Sequence, residues 1–403
     1  MRILYFGTVC NLTEYEKILS KCRIKPTVAT VVFESALLDG FYKNGVEIDI
    51  FTYPMISPHS DSRILYWGNK QEKISCGYTC TWLKTINVPF LKQLSRRLDG
   101  RRILKKWLKE HKNEERIVLT YGISPFLAKT IISQSKKYGV RNCAIVPDLP
   151  RDMYINSSKN TFMAMLRKPY LNATLKIQGE FDSYIYLTEA MSEAIAPLKP
   201  YMVMEGILDA KGFPEVQNDI KTDKRSIMYA GGLNEKFGII NLLDAFEAAR
   251  LPDTELWLFG DGNAVDIIRA RAEENPNIRL FGRRDRQEVL EYEKKATLLV
   301  NPRSSKDDFT KYSFPSKTIE YMYSGTPLLT TRLSGIPEEY FEYVFSVEDN
   351  EVSYLTDSIK RIFALSDEKL TDIGKRAQNF VMENKNNVVQ SQRIVKFLSS
   401  VIR

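Results

Sequence analysis

Residues 309–331 read FTKYSFPSKTIEYMYSGTPLLTT, and their punctuation is that of a helix followed by a buried strand. Pro315 can open a helix, because its missing N–H costs nothing at the first helical position. The segment PSKTIEYMYS then stops at Gly325, a normal helix end. TPLLTT follows as a short apolar strand. The first turn of such a helix has unpaired backbone N–H groups, and with Lys317 in that turn it offers a place for an anion such as a diphosphate. Glu320 lies one turn further in, close enough to accept hydrogen bonds from a sugar hydroxyl. An ordinary amphipathic helix closed by glycine would read the same way, so the flanking segments must decide.

Outward from this stretch, strand-like and helix-like segments alternate. Upstream within the second half come SIMYAGG, a helix to Arg250, ELWLFG, a helix to Glu274, IRLFG, the helix RQEVLEYEKKA and LLVNP. Downstream come YVFSV and helices over the last fifty residues. The first half repeats the pattern, with RILYFG, a helix closed by Gly45, VEIDIFTY, RIVLTYG, NCAIVPD, SYIYLT and YMVMEG as strands. A helix is expected near 160–178, and residues 60–90 are more irregular. Alternation of this kind predicts parallel sheets covered on both faces. Residues 208–224 are polar, with Gly212 and Pro214, and read as a linker. The fold class is therefore α/β: two tandem doubly wound, Rossmann-like domains, 1–207 and 225–403, facing across a cleft, with the last helix free to cross back to the first domain. In such sheets ligands bind at the carboxyl ends of the strands.

The 403 residues are 43% apolar and 27% charged, which describes a globular protein and excludes a disordered one. No apolar run approaches the ~20 residues that span a bilayer. The opening MRILYFGTVCNLTEYEK lacks a signal-peptide core, so a cytoplasmic location is expected. Five irregularly spaced cysteines do not make a disulfide framework, and Cys76 and Cys80 lack a second pair of zinc ligands. Residues 1–205 carry a net charge of +11 and the remainder −3, so the two halves are expected to meet different partners.

Several strand ends carry residues suited to chemistry. YAGGLNEKFG leaves a strand and enters a helix; Gly231 and Gly232 allow a ligand close to the backbone, and Lys236 adds a charge suited to phosphate. A plain strand-to-helix turn has the same residues. The loop is not a Walker A motif, since Gly-Lys-Ser/Thr is missing. LFGDG (258–262), LFGRR (280–284) and LVNPR (299–303) would line the same edge.

Taken in order, these pieces resemble a retaining GT-B glycosyltransferase of family 4 over about 200 residues, the N-terminal half matching only in layout. The resemblance implies a nucleotide-diphosphate sugar as donor and a saccharide or lipid-linked saccharide as acceptor, as in surface polysaccharide assembly. It implies that Gly231, Gly232 and Lys236 hold the diphosphate, that amides around Pro315, Ser316 and Lys317 cap it, that Glu320 contacts the ribose, and that Gly282 and Arg283 lie near the base. Gly7, ending the first strand, would face the donor phosphate. Two positions depart from the pattern. The first glutamate of the family's motif is Tyr312 here, so Asp307 or Asp308 would have to stand in at the donor sugar. The arginine that usually follows the first loop glycine is Gly232, which leaves Lys236, Lys317 or Arg303 to neutralise the diphosphate. Asp148, after NCAIVP, falls where many relatives have a catalytic histidine; it would orient a hydroxyl or take its proton, or else cap the next turn. Asp148, Lys236 and Glu320 are thus the expected catalytic residues. Of the two histidines, His59 sits in a loop and could reach the cleft, whereas His111 ends a charged helix and is expected in solvent. No Asp-x-Asp occurs, so catalysis without a metal or other cofactor is expected, the leaving charge being met by lysine and a helix terminus.

Residues 92–112, KQLSRRLDGRRILKKWLKEHK, form a basic helix in which Leu91, Leu94, Leu98, Ile103, Leu104, Trp107 and Leu108 roughly share a face. It could lie on an anionic membrane, or its apolar face could pack on the sheet. No aromatic-basic module for nucleic acid is visible. Two other readings of the chain remain: a catalytically silent scaffold, for which Tyr312 speaks, and a sugar-nucleotide epimerase of the same fold.

Overall fold

The computed structural model describes all residues except 24–28, 54, 58, 69, 89, 152–160, 210–223 and 403, and the backbone alone at 29, 59, 60 and 161–167. The chain forms two compact units, Met1–Ile207 together with Asn387–Arg403, and Leu208–Asn386.

The strands of the first unit are β1 (Arg2–Gly7), β2 (Glu47–Thr52), β3 (Tyr66–Trp67), β4 (Gln71–Lys73), β5 (Thr79–Trp82), β6 (Thr85–Ile86), β7 (Arg116–Tyr121), β8 (Arg141–Val146), β9 (Ser183–Tyr186) and β10 (Tyr201–Val203). Eight of them make one sheet in the order β10-β9-β8-β7-β1-β2-β5-β4, parallel except where β4 joins β5, while β3 and β6 pair separately. Ile3, Leu4, Tyr5 and Phe6 of β1 are fully buried, as a central strand covered on both faces requires. The order reverses between β1 and β7.

Ile394 and Leu398, from the helix Asn387–Ile402, belong to the core of this first unit, with Ile3, Leu37 and Phe41. Gly40 permits the approach: a Cβ there would lie 2.1 Å from the Asn387 carbonyl oxygen. Asn387 Nδ2 donates to Asp39 Oδ2 at 2.6 Å, and Asn44 Nδ2 donates to the Val388 carbonyl at 2.9 Å.

The second unit holds β11 (Arg225–Gly232), β12 (Thr254–Asp261), β13 (Ile278–Gly282), β14 (Leu298–Asn301), β15 (Leu328–Thr331) and β16 (Phe345–Val347). Their order is β13-β12-β11-β14-β15-β16, all parallel, with the reversal between β11 and β14. Both sheets are therefore doubly wound, as the alternation of segments predicts. Residues 210–223 of the expected linker lie outside the described residues; Leu208 N donates to the Lys385 carbonyl at 2.8 Å, so the two ends of this unit meet.

Three expectations need correction. The helix expected to open at Pro315 runs Lys317–Tyr323; Pro315 precedes it in a turn whose carbonyl accepts from Thr318 N at 2.8 Å. Gly325 does close it, with φ 78°. The basic helix runs Leu91–Glu110, but its apolar residues do not share one environment. Leu104, Trp107 and Leu108 are buried, Trp107 Nε1 donating to Asp49 at 2.8 Å, whereas Leu91, Leu94 and Leu98 are exposed. Gly100 is buried too, and a Cβ there would lie 2.8 Å from the Leu127 side chain, so the glycine allows close packing on the neighbouring helix Pro125–Tyr138. His111 is not in open solvent: its ring packs 5.2 Å from that of Trp107 and Nδ1 lies 2.6 Å from Glu114.

Candidate functional site

At the carboxyl ends of β11 and β14 the second sheet opens. The two strands pair only at Ile227–Leu298 and Met228–Leu299 and then diverge. Divergence at a topological switch point makes the crevice in which doubly wound sheets bind ligands. It also strips Ala230 of a ladder partner on that side, although Ala230 is buried. The Tyr321 hydroxyl, on the helix Lys317–Tyr323, takes the place of the strand: it accepts from Ala230 N at 2.8 Å and donates to the Ala230 carbonyl at 3.1 Å. Buried backbone groups have to be paired in some such way. Its full burial raises the Tyr321 pKa well above normal, so the hydroxyl keeps its proton.

Gly231 and Gly232 end β11 and lead into a short turn, Glu235–Phe237, that carries Lys236 at an exposed position. Gly238 closes the turn with φ 79°, and a Cβ there would fall 1.8 Å from the Pro302 carbonyl oxygen. Only glycine fits both the conformation and the contact. This residue, which motif reading passed over, seats the loop against the end of β14.

Arg303 follows β14. Its guanidinium lies 4.8 Å from the centre of the Phe237 ring, and Lys236 Nζ lies 5.1 Å from the same centre. Phe237 in turn meets Phe309 edge-on. Among the described residues neither cation forms an ion pair. Burial lowers the Arg303 pKa, yet at neutral pH it remains charged. Two cations on one ring, beside glycines at the end of the central strand, gather positive charge at this edge.

Lys317 is differently placed. Its Nζ binds Glu293 Oε1 at 3.1 Å and also Glu320, while Glu320 Oε2 stands 3.4 Å from Arg286. Burial disfavours charge on Lys317, but Glu293 and Glu320 outweigh it and raise its pKa. Burial raises Glu293, and Lys317 offsets only part of that; Glu293 Oε2 has no hydrogen-bond partner. For Glu320 the balance runs the other way, and Lys317 holds it below the usual carboxylate range. Sequence reading missed Glu293, whose position on the helix Arg286–Lys295 looks like an ordinary surface glutamate.

Among the other expected donor residues, Gly282 has φ 69° with open space around it, and Arg283 is exposed with Nε 3.4 Å from Asp261. Ser316 is exposed and its side chain caps nothing. Asp307 precedes the turn Asp308–Tyr312, its carbonyl accepting from Thr310 N at 3.0 Å; Asp308 pairs with Lys311 at 3.1 Å, and Tyr312 is half-buried.

In the first unit, Gly7 ends β1, and the space beside it is filled from within the protein: a Cβ there would lie 2.0 Å from Glu34 Oε2. The fully buried Glu34 accepts from Thr8 N at 2.9 Å, from the Tyr5 hydroxyl at 2.6 Å and from the Thr8 hydroxyl. Burial pushes its pKa up to about 7 against the pull of these bonds. No sequence signal marked Glu34. Asp148 lies just past β8, exposed, on the wall of a cavity of about 550 Å³ over the carboxyl ends of β1 and β7. The side chain of His59 lies outside the described residues.

Comparisons with known proteins accord with this arrangement. Residues 213–380 match the family model for glycosyl transferases group 1. No curated protein sequence matches the chain. Similar solved structures include sucrose-phosphate synthase from Thermosynechococcus elongatus, at 15% identity and a TM-score of 0.64 over 100% of this chain and 99% of that one. HepE of Anabaena in complex with UDP matches at 14% identity and a TM-score of 0.63, over 99% and 100%. The lipopolysaccharide outer core galactosyltransferase WaaB matches at 14% and 0.57, over 99% of each chain. The chain has the GT-B fold. With a group 1 domain in its second unit, it is a glycosyltransferase.

Proposed function

We propose that the chain moves a hexose-type sugar from a nucleotide-diphosphate sugar to a saccharide or lipid-linked saccharide, as a retaining enzyme of family 4 working in surface polysaccharide assembly. The observation that carries the donor assignment is the pair of cations, Arg303 and Lys236, resting on Phe237 where β11 and β14 diverge. Solved neighbours with UDP, and with UDP and glucose, support a nucleotide sugar.

In the reaction the acceptor hydroxyl oxygen bonds to the anomeric carbon as the bond from that carbon to the diphosphate oxygen breaks. The diphosphate leaves with the bonding electrons and takes up the hydroxyl proton. Arg303 and Lys236 meet the charge that develops there, which is how fixed cations lower such a barrier without a metal. Attack on the face the diphosphate leaves gives retention. Glu320 receives the ribose hydroxyls, Gly282 and Arg283 flank the base, and Lys317 with the backbone N–H groups that follow Pro315, those of Ser316 and Lys317, completes the diphosphate site once a ligand competes for the Lys317 side chain. Asp307, Asp308 and Tyr312 neighbour the sugar, and Asp148 orients a hydroxyl. Gly7 would face the phosphate as the resemblance implies, with Glu34 filling the space beside it and protonated below about pH 7.

Among the described residues no helix is long and apolar enough to cross a membrane. We place the enzyme in the cytoplasm, at the inner face of the plasma membrane. Exposed Phe90, Leu91, Leu94 and Leu98 beside Arg97 and Arg101 are the surface that would meet it. One observation favours a second reading, a silent scaffold: Lys317 and Glu320 are engaged with Glu293 and each other, and Tyr312 replaces a glutamate. Thermal shifts with UDP-, GDP- and ADP-sugars decide. A shift with one nucleotide, lost in Arg303→Ala, is expected; no shift with any would leave the scaffold.

A further inference from the structure

The cavity over β1 and β7 holds two cations from the basic helix, Lys92 and Arg96, one turn apart. Arg96 Nε donates to the Thr85 hydroxyl at 3.3 Å, and the guanidinium lies 5.1 Å from the Tyr53 ring centre and 5.8 Å from that of Trp67. Its Nη2 is buried without a hydrogen-bond partner. Lys92 Nζ donates to the Ile56 carbonyl at 2.8 Å and lies 5.6 Å from the centre of the Trp67 ring. Among the described residues neither forms an ion pair. The buried Glu34 carboxylate nearby is taken up by Tyr5 and Thr8.

Two half-buried like charges one turn apart are unfavourable together. Burial, and then Arg96, lowers Lys92 to about 7; burial lowers Arg96 to about 10. Proteins bury unpaired charge only at a cost, which an incoming counter-charge relieves. A guanidinium with free N–H groups presents a planar fork that fits phosphate or carboxylate oxygens. The rest of the wall suits a saccharide: Tyr53, Tyr121 and Tyr170 offer aromatic surface, Gln93 and Ser124 offer polar groups, and about 550 Å³ is within the range of small-molecule sites.

We propose that this cavity selects acceptors carrying an oxyanion, with Arg96 and Lys92 binding a phosphate-type group while the sugar rests on the tyrosines. This specificity rests on the reading of the chain as a glycosyltransferase; the binding site itself does not.

Titration calorimetry of the full chain with inorganic phosphate, glucose 6-phosphate and glucose tests it, with UDP-induced thermal shift run in parallel. Glucose 6-phosphate is expected to bind at least tenfold more tightly than either glucose or inorganic phosphate. Arg96→Gln is expected to lose that preference while the UDP shift stays as in the native protein. Arg96→Lys, which keeps the charge without the fork, should fall between, and it serves if the glutamine variant fails to fold. Equal binding of glucose and its phosphate overturns the proposal. So does phosphate affinity unchanged in Arg96→Gln and Lys92→Gln, or inorganic phosphate binding as tightly as the sugar phosphate. Loss of the UDP shift in the native protein would instead remove the donor assignment and leave the anion site standing on the calorimetry.

Discussion

Tyr321 and Ala230 exchange two hydrogen bonds, the hydroxyl accepting from the amide at 2.8 Å and donating to the carbonyl at 3.1 Å. A side chain thus completes a backbone ladder at the point where the ladder must stop to make room for a ligand. Tyr321→Phe keeps the ring and removes both bonds. An orphaned buried group costs about 1–3 kcal/mol, so the variant should unfold at lower urea with an unchanged slope. An unchanged midpoint would mean that water replaces the hydroxyl without loss.

Arg303 and Lys236 touch the same ring but differ in burial, and a charge in a low-dielectric setting acts more strongly. Arg303→Ala should weaken nucleotide-sugar binding at least tenfold, about 1.4 kcal/mol. Lys236→Ala should weaken it less and lose its effect in high salt, as screening predicts. Calorimetric titration at low and high ionic strength checks both; equal losses insensitive to salt would contradict the assignment.

Lys317 holds Glu293, whose side chain is fully buried. Glu293 has a raised pKa, so the stability it contributes is complete below its unfolded value and is lost as pH climbs through the folded one. Removing the lysine pushes that carboxyl further up. Lys317→Met should therefore show a penalty that is flat between pH 6 and 7.5 and grows above pH 8, where the native Glu293 ionises against the lysine, by up to about 1.4 kcal/mol per unit; unfolding at pH 7 and pH 9.5 brackets it. Lys317→Met with Glu293→Gln should recover most of the loss. Urea unfolding at the two pH values measures it, and a penalty that does not grow with pH would refute the linkage.

Lys92 runs the opposite way. Its pKa falls from 10.5 to about 7, so between those values the unfolded chain binds the extra proton. Stability then rises with pH, by up to about 1.4 kcal/mol per unit from this group. Arg96 disfavours its charge, Cys22 favours it, and Trp67 and the Ile56 carbonyl face it. Lys92→Met should be more stable than the native chain at pH 7 and lack the rise from pH 7 to 10. A native-like rise in the variant would show that other groups set it.

Features that depend on near neighbours in sequence were legible: strand ends, the Gly231–Gly232 turn, Gly325 after its helix, and the two doubly wound sheets. What stayed hidden depends on groups distant in sequence. Glu293 lies 24 residues before the lysine it binds, and Glu34 lies 27 beyond the glycine that makes room for it. Tyr321 reads as one more core aromatic until the strands are seen to part. The basic helix misled because helical periodicity marks an apolar stripe but not how far along it a neighbour extends; Leu104, Trp107 and Leu108 are covered while Leu91, Leu94 and Leu98 stay exposed.

The helix Asn387–Ile402 completes the core of the first unit after the whole second unit has been threaded between. During synthesis, then, residues 1–207 wait with Asp39, Gly40 and Leu37 uncovered while the second unit closes on itself through Leu208 and Lys385. The unit encoded second is free to finish first. Because its two ends already meet, it can also be exchanged as a cassette, a route by which one N-terminal scaffold acquires a different second unit.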